Sequence, residues 1–155
     1  MTTASQAIAA LKSLIEDNPQ LHPDSGEPLP MYWQGDDPVR LSDTPSPFIY
    51  TAFSTTRSAT IETGGGRGSN RHRNPGSVAV FVFVPLGWGL QYGTDYAEAL
   101  AAPFRNFRAG GVTVDRVTVD PGGPGSAIAV PGMDNEANNY FWSGFEADFY
   151  FDLIG

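Results

Sequence analysis

Residues Ser77–Phe107 read SVAVFVFVPLGWGLQYGTDYAEALAAPFRNF. The opening segment, to Val84, alternates between two apolar sets. Val78, Val80, Val82 and Val84 point one way, and Ala79, Phe81 and Phe83 the other. A strand that is apolar on both faces belongs in the middle of a sheet with each side covered. The cover is either helices, or a helix on one face and a neighbouring subunit on the other. Pro85–Gly89 is a turn that carries Trp88, and Thr94–Phe107 then reads as a helix. Asp95 and Glu98 form a capping-box-like start that suits the positive helix N-terminus. Tyr96, Leu100, Phe104 and Phe107 line one face, Arg105 and Arg108 occupy the last turn, and Gly110-Gly111 ends it. An interior proline costs roughly 3 kcal/mol or kinks a helix, so Pro103 predicts a kink or break near Leu100–Pro103.

Upstream, Thr3–Glu16 predicts a first helix. Thr3 is its cap, Gln6 its capping-box partner, and Ala4, Ile8, Leu11 and Ile15 its stripe, with Ala7 and Leu14 beside it. Asp17-Asn18-Pro19 ends it. Strands are predicted at Pro30–Gln34, Pro47–Phe53 and Ala59–Thr63. Gly64–Gly76 (GGGRGSNRHRNPG) is expected to be a flexible loop. Downstream, Val112–Val119 alternates as a strand, with Val112, Val114, Arg116 and Thr118 on one side. Asp120–Pro131 reads as a loop holding a short strand at Ala127–Val130. Tyr140–Asp152 alternates strictly, with Phe141, Ser143, Phe145, Ala147, Phe149 and Phe151 on one face. Trp142, Gly144, Glu146, Asp148, Tyr150 and Asp152 form the other, acidic face. These elements add up to an α+β fold. It is a mixed, mainly antiparallel sheet with two helices packed on it, in a single domain over residues 1–155.

Bulk properties narrow the function classes. The chain has 155 residues, no cysteine and a formal net charge of −8. Without cysteine, neither a disulfide nor a thiolate metal site is possible. The acidic balance opposes nucleic-acid gripping, which requires phosphate neutralisation. No apolar run approaches a membrane span, and the N-terminus reads as a cytosolic helix and not as a signal peptide.

Chemistry-bearing motifs are sparse. His22 and His72 both fall in loop-like sequence without a metal-ligand partner at helical spacing. No G-x-S-x-G elbow is present. Gly64–Gly68 lacks the Gly-Lys-Ser/Thr of a phosphate loop and does not open a helix. No catalytic residue, metal ligand or cofactor is therefore assigned. Arg67, Arg71, His72 and Arg73 place positive charge in a glycine-rich loop on an acidic protein. They read either as a solvated connection or as an arm that orders on an acidic partner. Trp88 reads either as a lid on the sheet end or as an anchor at a subunit interface.

The segment VAVFVFVPLGWG running into YAEALAAPFRNF, then VTVDRVTV and the terminal NNYFWSGFEADFYF, resembles the tail terminator family of long-tailed bacteriophages. This is the family of tail-completion, minor tail protein U-like proteins, and the matching order covers most of the chain. The resemblance implies a structural, non-enzymatic virion protein that assembles as a homohexameric ring at the tail/neck junction, after synthesis in the bacterial host cytoplasm. The ring would cap the tail tube, stop its polymerisation and present a docking surface for the head. Its implied partners are the tail tube protein and a head-completion or connector protein. Genomic DNA would pass through the lumen without specific binding, and no membrane is involved. Under this resemblance the arginine-bearing loop is a candidate arm onto the tube or an adjacent subunit. The alternatives are another head–tail connector protein, or a small-molecule-binding or enzymatic α+β domain.

Overall fold

The backbone of the apolar strand runs from Arg71 to Pro85 as β4, fifteen residues long, and every one of them has a register partner in the C-terminal strand Tyr140–Ile154, β7. The computed structural model describes residues 2–55, 58–62 and 68–154. In chain order the other elements are α1 (Ala4–Glu16), β1 (Met31–Trp33), β2 (Phe48–Thr55), β3 (Ala59–Glu62), α2 (Leu90–Ala101), β5 (Arg108–Ala109) and β6 (Val112–Pro124). The strands form one seven-stranded sheet in the order β1-β2-β4-β7-β6-β5, with β3 also paired to β4. Among the described residues only the β1–β2 pair is parallel. The fold is thus α+β, with a mixed, mainly antiparallel sheet in one compact domain. The strand read as central is central.

Both helices pack on one face. Thr3 caps α1 and Gln6 completes the capping box. Ala7, Leu11 and Ile15 point into the core, one turn-spaced row on the helix. They meet Val78, Val80, Val82 and Val84 of β4, and Phe145, Ala147, Phe149 and Phe151 of β7. Ala4 is exposed and Ile8 half-buried, so the buried stripe is rotated from the predicted one. Leu100 and Ala101 of α2, with Phe104 beyond it, complete this cluster. Lys12 lies over the Trp33 ring, 4.5 Å from its centre, and joins α1 to β1.

Among the described residues the second face is covered at one end, and by irregular chain. Val39, Val130, Met133 and Ala137 pack on Phe48, Phe83 and Tyr140. Phe48 stacks on Phe83 with ring centres 4.9 Å apart. The expected alternatives for cover thus resolve into helices on one face and loops over part of the other.

Four boundaries differ from the sequence reading, each for a physical reason. First, Arg71–Gly76 is strand, not loop. Pro75, which lacks an N–H, sits where the neighbour changes from β2 (Thr55↔Gly76) to β3 (Ala59↔Arg73). A Cβ on Gly76 would stand 2.7 Å from the Phe149 ring, so glycine lets that ring close over the strand. Second, α2 starts at Leu90. Its Gly93 lowers helix propensity but allows the helix to sit on Ser143, whose Oγ would be 2.6 Å from an added Cβ. Thr94 and Asp95 are accordingly inside the helix. The break at Pro103 is present: a 3₁₀ turn at Ala102–Phe104 follows α2. Arg108 belongs to β5, joined to β6 by Gly110-Gly111, both with positive φ. Third, β6 is bulged between Val114 and Arg116. The extra residue reverses the alternation, so Val112, Val114, Val117 and Val119 all join the helix side. Arg116 and Thr118, paired with Asp148 and Glu146, share the opposite face. Fourth, β6 continues to Pro124 through a second irregularity, and residues 127–130 form no strand.

Phe149 is 2% exposed and packs where β4, β6 and β7 meet. Phe149→Ala is expected to cost about 3–5 kcal/mol, read from the urea midpoint at unchanged m-value. A loss under about 1 kcal/mol would show that this end of β7 lies outside the core.

Candidate functional site

Among the described residues the face of the sheet opposite the helices is open along β4, β7 and β6, and strand alternation decides what it displays. From β7 it displays Trp142, Glu146, Asp148, Tyr150 and Asp152. From β4 come Arg71, Arg73, Ala79 and Phe81; from β6, Arg116, Thr118 and Asp120. The bulge in β6 is what places Arg116 and Thr118 here.

One concavity lies on this face, and a second wraps round the strand ends, where Gln6 and Ala10 of α1 also line it. The first is a groove of roughly 370 Å³. Phe81 and Trp142 are part of its lining and meet edge to face with ring centres 5.4 Å apart. Asp120, Glu146 and Asp148 supply three carboxylates around it, against the one guanidinium of Arg116. Asp120 Oδ1 also accepts a hydrogen bond from the Gly122 N–H at 2.7 Å, which fixes the irregular turn of β6. The Trp142 indole nitrogen is buried and has no hydrogen-bond partner among the described residues.

The second is a cleft of roughly 680 Å³ at the far end of the same strands. Arg71, Arg73, Arg108, Thr2, Tyr150 and Asp152 are among its lining residues. Asp152 accepts hydrogen bonds from Arg71 Nη2 at 2.6 Å and from Arg73 Nε at 3.0 Å. Arg73 also lies over the Tyr150 ring, 4.0 Å from its centre. The Arg73 hydrogen bond is the chief cause that holds the Asp152 carboxyl below its ordinary range. Partial burial opposes it, while the Arg71 hydrogen bond and both positive charges reinforce it. Thr2 Oγ1 donates to the Gly110 carbonyl at 2.6 Å and ties the start of the chain to the β5–β6 hairpin beside Arg108.

The residues singled out from sequence are thus separated. Arg71 and Arg73 come together as ordered strand residues, not as a loose arm. His72 lies between them, and alternation assigns it to the other face. Arg67 lies outside the described residues. Trp88 stands past the opposite end of β4, half-buried. Its ring meets His22 and Tyr92 edge-on, each with centres 5.4 Å apart. It thereby packs the 18–29 segment against the start of α2, which Tyr96 Oη also holds by donating to the Leu21 carbonyl at 2.8 Å. Around Trp88, Leu21, Leu86, Leu90 and Tyr92 are each 47–59% exposed, so the lid has an apolar outer surface. Arg108, Asp120 and the Phe81–Trp142 floor did not stand out from sequence. The Gly110-Gly111 hairpin signal is what locates Arg108 once it is read as a turn.

Among the described residues no group of three or more His, Asp or Glu side chains is placed to hold a metal ion. Among the described residues no helix is long and apolar enough to cross a membrane. No protein-family model matches the chain, and no curated protein proves similar to it. A solved protein structure whose description states no function matches it with a TM-score of 0.54 and 17% identity, over 99% of this chain and 99% of its own. At that identity the likeness speaks for the fold alone.

A carboxyl whose pKa is lowered on folding stabilises the native state above its unfolded-state pKa. That contribution is lost as pH falls through the lower folded value. Both arginines are more than a third exposed, at 42% and 37%, so solvent screening holds the contribution to about 1 kcal/mol or less. Wild type is therefore expected to exceed Asp152→Asn in stability at neutral pH. The gap should close as pH drops below the ordinary aspartate value of 3.8. Denaturant titrations across that range check this, and a gap independent of pH would contradict the ion-pair account.

Proposed function

We propose that this chain is a tail terminator of a long-tailed bacteriophage, a structural subunit that assembles into a ring and caps the tail tube. The supporting observation is the placement of the elements that carry the resemblance. VAVFVFVPLGWG forms the sheet centre and the turn that follows it, YAEALAAPFRNF supplies the second half of α2 and the 3₁₀ turn that together cover that centre, and the terminal aromatic strand pairs with β4 along its full length. A terminator performs no covalent chemistry. Its work is done by surfaces, and this molecule invests its unusual side chains in surfaces.

The proposed mechanism follows from geometry. A ring bound to the last ring of tube protein occupies the face that the next tube subunits need, so growth stops. The opposite face of the ring is left for a head-completion or connector protein. DNA carries one negative charge per about 1.7 Å of duplex, so a subunit with a net charge of −8 repels it and lets it slide through a lumen without gripping. In this reading the ordered Arg71–Arg73 segment belongs to a subunit contact, and the 63–67 segment beside it lies outside the described residues.

The reading is tested by polymerising the tail tube protein of the same phage in vitro, with and without this protein. Electron micrographs are expected to show tubes that stop at a reduced, narrow length, with a cap at one end. Tube length unchanged by an excess of the protein would overturn the proposal.

A further inference from the structure

Among the described residues the outer side of β6 is the longest open edge of the sheet. β5 covers it at Val112 and Thr113, and the Val114 N–H is taken by the Phe107 carbonyl at 2.9 Å. From Asp115 to Pro121 no strand lies on that side among the described residues, and Gly122, with positive φ, then takes the chain out of register. The opposite edge offers less. There β1 has three residues, and just past it Gln34 Oε1 accepts the Phe53 N–H at 2.7 Å.

Backbone phase decides what the β6 edge presents. In an antiparallel ladder successive residues turn their N–H and C=O to opposite sides. The Ile49 N–H bonds the Pro30 carbonyl at 2.9 Å on the β1 side, so Tyr50 faces β4. The count runs on through the pairs Tyr50↔Phe81, Val82↔Ser143 and Asp120↔Gly144. It makes Asp120, Thr118 and Arg116 direct their backbone groups to β7, while Val117 and Val119 turn theirs outward. Outward N–H and C=O groups along an open edge are a template for another strand.

We propose that the strand completing this edge is β6 of a second copy, antiparallel and related by a two-fold axis through Thr118. Thr118 is the midpoint of the free run Asp115–Pro121, so this register uses all of it. It sets Val117 against the partner's Val119, the two positions with outward backbone groups. Both are half-buried on the helix side, and each covers what the other leaves exposed. On the open face it sets Arg116 against the partner's Asp120, twice over, and Thr118 against the partner's Thr118. Opposite charges and paired threonines are favourable cross-strand neighbours. Registers centred on Val117 or Val119 oppose Arg116 to Thr118 or to Gly122 and lose the match. Charges on an edge ordinarily discourage pairing, and these are matched by the edge's own antiparallel image, which selects a second copy over a foreign strand. A two-fold contact is saturated by two chains, so the pairing goes beyond the ring reading and does not rest on it.

Sedimentation equilibrium and amide exchange test the pairing. Wild type is expected at twice the 16.6 kDa of one chain. Arg116→Asp and Asp120→Arg each bring like charges together at both contacts, and each alone is expected to raise the dissociation constant roughly tenfold or more. Mixing the two variants, or combining both changes in one chain, should restore pairing, which also shows that the variants are folded. In wild type the Val117 and Val119 amides should exchange more slowly as protein concentration rises. Those of Arg116, Thr118 and Asp120, bonded to β7, should be protected throughout. Wild type that stays a single chain at high concentration overturns the proposal, as does a particle of any size that is indifferent to both single changes. Variants folded by circular dichroism that fail to pair when mixed overturn it too, as does Val117 and Val119 exchange that ignores concentration. Tube length in the capping assay tests the ring reading separately.

Discussion

The fifteen-position pairing of β4 with β7 is the constraint on which the rest depends. It joins the middle of the chain to its end, and its alternation sorts side chains into two unlike sets. Valines 78, 80, 82 and 84 and the phenylalanines of β7 go to the helix side and form the core. Phe81, Trp142, the carboxylates and the arginines go to the other side. A slip of one residue would send the phenylalanines to solvent and the charges into the core, so the register is strongly specified. The same pairing therefore stabilises the protomer and composes the open face.

That face explains features that burial alone does not. A long antiparallel sheet with one dry and one wet side needs no aromatic floor on the wet side. Here Phe81 and Trp142 are half-buried within a groove, beside carboxylates that have β6 and β7 as rigid supports. The β6 bulge has a double effect. It brings Val117 and Val119 to the core side beside Val112 and Val114, and it turns Arg116 and Thr118 towards the groove. Bulges commonly re-aim side chains at functional edges, and this one does so on an exposed strand next to the short β5.

Much of the fold was legible because period-two alternation with apolar valine and phenylalanine leaves little freedom for β4 and β7. The first helix was legible through its capping box, and the break after α2 through Pro103. What misled was local chemistry overridden by tertiary contact. Asp95 and Glu98 suggest a helix start near Thr94, yet α2 begins at Leu90, where Gly93's missing side chain makes room for Ser143. Pro75-Gly76 argued for a loop, yet the proline falls at a change of strand partner and the glycine beneath Phe149. A bulge leaves no composition signature, so the faces of β6 were assigned wrongly beyond Val114. The site was legible only in part. Arg71 and Arg73 were singled out for their charge, but their carboxylate partner lies some eighty residues away. The groove is built from three strands and exists only after they pair.

The central claim is that the β4–β7 register composes both the core and the open face. The chain contains no cysteine, so a pair of cysteines can be introduced without background. Ser77 and Asp148 are register partners on the open face, whereas Ala147, one position away, points to the core. Mild oxidation followed by thiol titration of the Ser77→Cys/Asp148→Cys and Ser77→Cys/Ala147→Cys variants tests the claim most directly. The account predicts that the first pair closes a disulfide within one chain and that the second keeps both thiols. Thiols that stay free in the first variant, or that close in the second, would contradict it.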